Sequence, residues 1–191
     1  MKIVIIQGHP DPKGGRFCHA LAQAYAQSAQ EGGHDVRTID VARLDFDLLR
    51  SAADWQEGAP AEAIRGAQQT LAWAQHLVIV FPLWLGDMPA LLKGFFEQLL
   101  RPGFAIGQAA PGKFWKKLLK GRSARLIVSM GMPAFFYRIY YRAHSVKSLK
   151  RNILEFCGIS PVRTSLIGTV DSATARQISL AKVQMLGRDA K

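Results

Sequence analysis

A glycine-rich loop with basic residues joins a buried apolar run to the first helical pattern, and its residue types suit an anion. The loop, residues 7–18, contains Lys13, Gly14-Gly15 and Arg16. The first backbone N–H groups of a helix have no intrahelical acceptor, so a phosphate or pyrophosphate can bind there beside the two cations. The loop matches neither the Gly-x-Gly-x-x-Gly fingerprint nor a Walker loop, which argues against a nucleoside triphosphatase.

A second loop, Pro82-Leu83-Trp84-Leu85, follows the apolar run at residues 77–81. Pro82 removes one backbone donor and restricts the chain, so the turn offers a stiff apolar wall. A planar, uncharged ring could lie on it. The pattern of a strand, this turn and an apolar helix opened by Pro89 is how a doubly wound α/β protein builds a crevice at the carboxyl end of a strand.

A third loop, Ser129-Met130-Gly131-Met132, follows another apolar run. Its glycine lets backbone N–H groups approach the edge of a ligand closely. Each loop alone also fits ordinary turn chemistry. Together, a phosphate cradle, an aromatic wall and a donor-bearing edge indicate a flat heterocycle with a phosphorylated tail, and we predict a flavin nucleotide.

Short apolar strands alternate with amphipathic helices along the chain, and this alternation positions the three loops. Five parallel strands are predicted at residues 2–7, 35–40, 77–81, 124–130 and 162–168, in the order 2-1-3-4-5. Three of the helices are predicted at residues 61–74, 145–156 and 172–186. The chain is thus predicted to form a single α/β domain over residues 1–191, with residues 101–121 as an extended loop over the crevice mouth.

Composition excludes several classes of protein. The longest apolar run, residues 77–85, is too short to span a bilayer, and the first residues enter a strand instead of a targeting segment, so we expect a cytoplasmic protein. The two cysteines, Cys18 and Cys157, have no metal-binding spacing, and no metal site is predicted.

The positive charge belongs to one half of the chain. Residues 1–100 hold 8 Lys and Arg against 11 Asp and Glu, a net −3, whereas residues 101–191 hold 17 against 3, a net +14. This half could attract a dinucleotide phosphate, an acidic protein, an acidic membrane surface or nucleic acid, or simply be a solvated surface. No nucleic-acid-binding motif accompanies it, so nucleic acid is the least favoured partner.

The chain resembles the flavodoxin-like NAD(P)H:quinone oxidoreductases over most of its length. The resemblance rests on a first loop with His9 and Phe17, the block Phe81-Pro82-Leu83 followed by Pro89-Ala90-x-Leu-Lys93-Gly94, then Phe104-Ala105 and Phe156-Cys157-Gly158. It implies a flavodoxin-like three-layer sandwich, a bound FAD or FMN, NAD(P)H as co-substrate, and a homodimer with the active site at the subunit interface.

The resemblance also implies a set of site residues. The pyrophosphate would be lined by His9, Arg16, Phe17 and Cys18, the flavin ring by Pro82, Leu83, Trp84 and Leu85, and its pyrimidine edge by Ser129, Met130, Gly131 and Met132. Arg16 stands where the family often has a small hydroxyl residue, and Cys18 where it often has asparagine.

Tyr137 and His144 are the candidate catalytic residues. The family places a tyrosine six residues after the glycine of the third loop, as Tyr137 is here, and a histidine six residues further on; His144 comes seven on. A phenol or an imidazole can donate a hydrogen bond or a proton to negative charge that develops on a reduced flavin or on a quinone oxygen. The alternative is that the aromatic stretch at residues 135–141 serves packing or a dimer interface.

The sequence therefore predicts an enzyme that passes two electrons from NAD(P)H to a quinone or a similar small acceptor by a ping-pong hydride mechanism. An alternative is a flavin-binding cytoplasmic regulatory subunit of a membrane transporter, with peripheral docking through the basic half. A passive electron carrier is a third possibility. The protein would supply binding and orientation, and the cofactor the chemistry.

Overall fold

The computed structural model describes residues 1–107 and 115–191. The strands are β1 (Lys2–Gln7), β2 (Asp35–Asp40), β3 (His76–Pro82), β4 (Ile106–Gly107), β5 (Lys116–Lys117), β6 (Ser123–Ser129) and β7 (Val162–Ile167). The helices are α1 (Phe17–Glu31), α2 (Ala52–Gln56), α3 (Glu62–Trp73), α4 (Ala90–Leu99), α5 (Ala134–Ile139), α6 (His144–Ser148), α7 (Glu155–Cys157) and α8 (Ala173–Arg188).

Five parallel strands form the central sheet in the order β2-β1-β3-β6-β7. The short strands β4 and β5 pair with each other in a separate antiparallel ribbon, so β6 and β7 are the fourth and fifth strands of the main sheet. The predicted sheet and its order 2-1-3-4-5 are thus confirmed. The order reverses at β1 and β3, so the loops that follow these strands diverge to opposite faces and leave a crevice between them.

Alternation of side chains along the strands divides the core into two layers. In β1, Val4 and Ile6 face the layer that contains α3 and α4, whereas Ile3 and Ile5 face the layer that contains α1 and α8. Both sets are fully buried, as expected for parallel strands covered on both faces. The α/β three-layer arrangement predicted from the sequence is thus confirmed.

Close packing fixes the start of the first loop. Gly8 donates its backbone N–H to the Val80 carbonyl at 2.8 Å, and a Cβ atom at this position would lie 2.6 Å from a methyl group of Leu92. A larger residue would push α4 away from the crevice.

Two segments differ from the sequence-based expectation. The helix predicted at residues 145–156 lies within a helical stretch over residues 144–157, but a π-helical turn at Leu149–Leu154 separates α6 from α7. In the predicted loop 101–121, the Leu118 N–H donates to the Ala105 carbonyl and the Leu119 N–H to the Cys157 carbonyl, so these described residues pack at the amino end of the sheet, away from the crevice. Residues 108–114 of that loop lie outside the described residues.

Among the described helices, none has the length and hydropathy needed to cross a membrane.

Candidate functional site

The three predicted loops contact one another at the carboxyl edge of the sheet. Cys18 Sγ of the first loop lies 3.1 Å from Ser129 Oγ of the third, which is hydrogen-bonding distance. The Leu83 N–H of the second loop donates to the Ser129 carbonyl at 2.8 Å. The His9 ring meets the Trp84 ring edge to face, with centroids 5.6 Å apart. The sequence-predicted residues of all three loops are therefore brought together.

The first loop presents a row of backbone N–H groups at the start of α1. Among the described residues, the N–H groups of Gly14, Gly15, Phe17 and Cys18 find no protein acceptor. Gly14 and Gly15 both have positive φ, +75° and +73°, and a side chain there would enter open space. Unpaired donors at a helix N-terminus form an anion site.

The cations beside this cradle are partly engaged elsewhere. Arg16 forms an ion pair with Asp11 at 2.8 Å and keeps 62% of its side chain exposed. Asp11 also accepts from the Lys13 N–H at 3.0 Å, and this bond together with the Arg16 contact lowers the pKa of the Asp11 carboxyl. The half-buried Phe17 ring lies under Arg176, 5.5 Å from its guanidinium carbon. An anion would thus be held chiefly by the backbone donors.

Gln7 is a site residue that the sequence analysis did not single out. Its side-chain amide donates to the Cys18 carbonyl at 3.0 Å, and its amide oxygen accepts from the His9 N–H at 2.9 Å. The side chain is buried and ties together the two ends of the cradle. A signal was present, because Gln7 is a polar residue at the end of an otherwise apolar strand.

His9 is buried beneath the cradle as a neutral imidazole. Its Nδ1 accepts from the Asp11 N–H at 3.1 Å, which assigns the ring proton to Nε2. Burial, followed by the neighbouring His19, lowers the pKa of His9 below its ordinary value. The imidazole can therefore act as a hydrogen-bond donor at neutral pH without carrying charge.

The second loop is a tight turn that displays two apolar side chains. Trp84 and Asp87 exchange backbone hydrogen bonds of 2.8 and 3.0 Å, and the two residues between them have positive φ, +48° at Leu85 and +82° at Gly86. Both values are those of a type I′ turn, which places the Leu85 side chain fully in solvent. Trp84 is 50% exposed.

Neighbouring residues hold this turn in place. Pro82 is buried as the last residue of β3, paired with Ser129, and Leu83 is half-buried. The Asp87 carboxylate accepts from the Met88 N–H at 2.6 Å and from the Ser145 hydroxyl at the start of α6. The sequence analysis did not single out Asp87 or Ser145, whose pairing joins residues 58 positions apart and leaves no local pattern.

The third loop contributes two backbone donors. Met130 is buried and donates its N–H to the Ile167 carbonyl at 2.8 Å, while the Met132 carbonyl accepts from the Thr169 N–H at 3.2 Å. The N–H groups of Gly131 and Met132 have no acceptor among the described residues. These two groups can donate to a polar ligand edge.

The contact between Cys18 and Ser129 is uncharged. Burial raises the pKa of the Cys18 thiol to about 11, although the Ser129 hydroxyl opposes the shift. A thiol that stays protonated at neutral pH is a poor nucleophile. Within residues 1–107 and 115–191, no group of three or more His, Cys, Asp or Glu side chains could hold a metal ion.

The two candidate catalytic residues differ in exposure. Tyr137 is 1% exposed, and its hydroxyl makes no hydrogen bond of normal geometry; its nearest polar groups belong to Ser145 and Val146. Burial raises the pKa of Tyr137, and the same polar groups oppose the shift. His144 is exposed and lines a shallow cleft with Arg151 and other residues of α6 and the π-helical turn. Among the described residues, no hydrogen bond joins the hydroxyl to the imidazole.

A sheet of this order, with a glycine-rich loop and an apolar turn at its reversal point, is the arrangement at which doubly wound α/β proteins bind their ligands. The family described by its flavodoxin-like fold matches residues 1–186, and the chain belongs to it. The family resemblance predicted from the sequence is thereby confirmed.

Named relatives agree with this assignment. The chain is similar to an uncharacterized NAD(P)H oxidoreductase of Haemophilus influenzae, 28% identical over 193 residues that cover 95% of this chain and 92% of the relative. It is 30% identical over 156 residues to a ribosyldihydronicotinamide dehydrogenase-like protein of Penicillium crustosum, covering 69% of this chain but only 58% of that protein. The solved NAD(P)H:quinone oxidoreductase of Methanothermobacter marburgensis has the same fold, with a TM-score of 0.81 and 23% identity over 99% of this chain and 98% of that one.

Proposed function

We propose that the protein is a flavin-dependent oxidoreductase that passes two electrons from NAD(P)H to a quinone or a similar acceptor. The observation that carries the proposal is the meeting of three loops at one sheet edge, through the Cys18–Ser129, His9–Trp84 and Leu83–Ser129 contacts. The names of the relatives, an NAD(P)H oxidoreductase among them, support the same reaction class.

The residues present fit a flavin nucleotide. The free N–H groups from Gly14 to Cys18 would hold the phosphate, and Trp84 with Leu85 would lie against the ring. The N–H groups of Gly131 and Met132 would donate to the polar pyrimidine edge. FMN and FAD both carry a phosphate that these N–H groups would hold, so both are candidates, and the mass of the released cofactor distinguishes them.

The chemistry that a bound flavin supplies is acceptance of a hydride from the nicotinamide and its transfer, as two electrons and a proton, to the acceptor. The chain's own part is to cover one face of the ring with Trp84 and Leu85 and to leave the other open. Nicotinamide and acceptor would then use the same open face in turn, which is a ping-pong sequence. A quinone takes up two electrons and two protons to become a hydroquinone, so one further proton comes from solvent or from a side chain.

Roles for Tyr137 and His144 in moving that proton stay predictions. A hydroxyl that donates to developing charge should make flavin reduction about 10- to 100-fold slower in Tyr137→Phe. Tyr141→Phe, in the same aromatic cluster, is the matched control. Since the Tyr137 hydroxyl is buried without a normal hydrogen bond, its removal should not lower the melting temperature. An unchanged rate would make Tyr137 a packing residue.

The experiment that tests the proposed function begins with the visible spectrum of the purified protein. We expect flavin absorption, or its appearance after addition of FMN or FAD, and bleaching by NADH or NADPH in a stopped-flow instrument. Adding a benzoquinone should restore the absorption. A protein that takes up neither flavin contradicts the proposal, whereas a loaded protein that accepts no hydride from either nucleotide would favour the regulatory-subunit alternative.

A further inference from the structure

The turn at residues 84–87 is joined to a distant element by one side-chain pair. All four residues are exposed, and the backbone bonds between Trp84 and Asp87 close the turn on itself. Within the described part of the chain, the only hydrogen bond from this turn to another element runs from the Ser145 hydroxyl to Asp87 Oδ1. The position of the turn therefore depends on this bond and on the packing of Trp84 against His9.

The other end of this bond lies on a well-packed part of the molecule. Ser145 is buried near the start of α6, and Val146, the next residue, packs in the hydrophobic core. The Ala143 N–H donates to the Tyr137 carbonyl at 3.2 Å, so a backbone bond ties the start of α6 to α5. The Ser145 hydroxyl thus gives the exposed turn a fixed point of attachment.

Asp87 accepts both of its hydrogen bonds on one carboxylate oxygen. Its Oδ1 atom takes the Met88 N–H at 2.6 Å and the Ser145 hydroxyl. The first bond holds the carboxylate against the backbone that follows the turn, and the second connects it to α6. Because hydrogen bonds to an ionised acceptor are roughly twice as strong as neutral ones, this pair can hold an exposed turn in one position.

The bond acts on the apolar wall and not on the core beneath it. The Leu85 side chain is fully in solvent and half of the Trp84 surface is exposed, so the backbone of the turn largely decides where both side chains lie. A shift of the turn against α6 would move these side chains and leave the two buried layers intact. Removing the bond should therefore affect a ligand on the wall more than it affects the fold.

We propose that Asp87 and Ser145 are positioning residues for the flavin. Their hydrogen bond sets the place of Trp84 and Leu85 against α6, and the ring that lies on these two side chains takes its place from them. Both positioning residues act through the turn and not on the reacting atoms. The inference rests on the proposed function, because that function puts the flavin ring on this wall.

The first measurement is hydrogen–deuterium exchange of the full chain without flavin. In Ser145→Ala the Asp87 carboxylate and its bond to the Met88 N–H remain, so faster exchange in a peptide over residues 83–88 reports the lost connection to α6. We expect exchange to be about 10-fold faster, the factor by which a hydrogen bond to a charged group holds its partner. The matched control is Ser123→Ala, which removes a serine–imidazole hydrogen bond of 2.8 Å at the amino end of β6, the opposite edge of the sheet.

The second measurement is the flavin dissociation constant, together with the visible circular dichroism of the bound ring. Ser145→Ala and Asp87→Ala should each weaken binding by about 10-fold and change the dichroism, because the turn is in its binding position for a smaller fraction of the time. Asp87→Asn keeps an acceptor oxygen and should bind flavin more tightly than Asp87→Ala. In the Asp87→Ala background, Ser145→Ala should have no further effect, because both substitutions remove the same bond. Ser123→Ala should leave flavin binding unchanged.

Three results would overturn the inference. They are unchanged flavin binding in Ser145→Ala, an equal loss of binding in Ser123→Ala, and single effects at Asp87 and Ser145 that multiply in the double variant. A parent protein that takes up no flavin contradicts the proposed function and with it the role toward flavin, whereas the exchange measurement still shows whether the bond holds the turn. A parent that binds flavin no more tightly than Ser145→Ala contradicts only the positioning role. The melting temperature of each variant separates loss of the fold from loss of binding.

Discussion

Replacing Trp84 by aspartate removes one of the two side chains that form the apolar wall and introduces a charge in its place. The backbone of the turn should survive, because its hydrogen bonds join main-chain atoms of Trp84 and Asp87. The indole ring packs edge to face on the His9 ring, and the substitution removes this packing. The variant should therefore keep the turn but lose some stability, so its thermal melting is measured beside its flavin binding.

The size of the effect follows from the exposure of Trp84. Half of its surface is exposed, and a tryptophan offers up to roughly 250 Å², so a flavin ring would cover at most about 125 Å² of it. At about 25 cal/mol per Å² this contributes up to ~3 kcal/mol, and half coverage contributes ~1.5 kcal/mol. Binding should weaken by about 10- to 100-fold. A carboxylate against an apolar ring adds a desolvation cost that acts in the same direction.

Quenching of flavin fluorescence during titration of apoprotein measures the dissociation constant. Trp115→Asp is the matched control, because Trp115 is 51% exposed and lies outside the three loops. Trp84→Phe, which keeps an apolar ring, should bind close to the parent. A Trp84→Asp variant that binds flavin as tightly as Trp115→Asp would refute the wall at residues 82–85.

Three further predictions concern stability and assembly. Burial and the nearby Arg125 lower the pKa of His76 to about 4, below its unfolded value, so the unfolded state takes up the proton first as pH falls below 6.5. The contribution of His76 to the free energy of unfolding is therefore fully present above pH 6.5 and is lost toward pH 4, with a loss of ~2 kcal/mol at pH 5. Urea unfolding measures this dependence on pH, and His76→Gln should remove it. Leu85 adopts a φ of +48°, so Leu85→Gly should raise the melting temperature or leave it unchanged, whereas Leu85→Val should lower it by the equivalent of about 1 kcal/mol. The protein should scatter light as a homodimer of twice 21.1 kDa, and a monomer at micromolar concentration would reject the dimer.

The sheet could be predicted from the sequence because its signal is local. Runs such as residues 2–7 and 77–81 are almost wholly apolar, which indicates strands covered on both faces, and the handedness of βαβ crossovers restricts their order. The meeting of the three loops at one edge could be predicted once the strands were placed. Parallel strands bring their carboxyl ends to one edge, whatever the loops contain.

Features around the three loops that depend on contacts between distant residues could not be predicted. Phe135, Phe136 and Tyr137 are similar in a local pattern, and α5 has only six residues, too few for its periodicity to show that Tyr137 alone points inward. The π-helical turn after α6 is also set by packing, because residues 149–154 carry no helix-breaking residue. The expected loop over the crevice rested on composition alone, which says nothing of the direction in which a segment runs.

Three buried side chains in or near the three loops share a consequence for kinetics. Burial lowers the pKa of His9 from 6.5, raises that of Tyr137 from 10 and raises that of Cys18 to about 11. Around neutral pH these three side chains therefore keep one protonation state, so the polarity that they present to the crevice is constant. A bend in a rate profile near neutral pH would then not belong to these three side chains, and comparing the parent with a His144→Gln variant would show whether the exposed imidazole causes it.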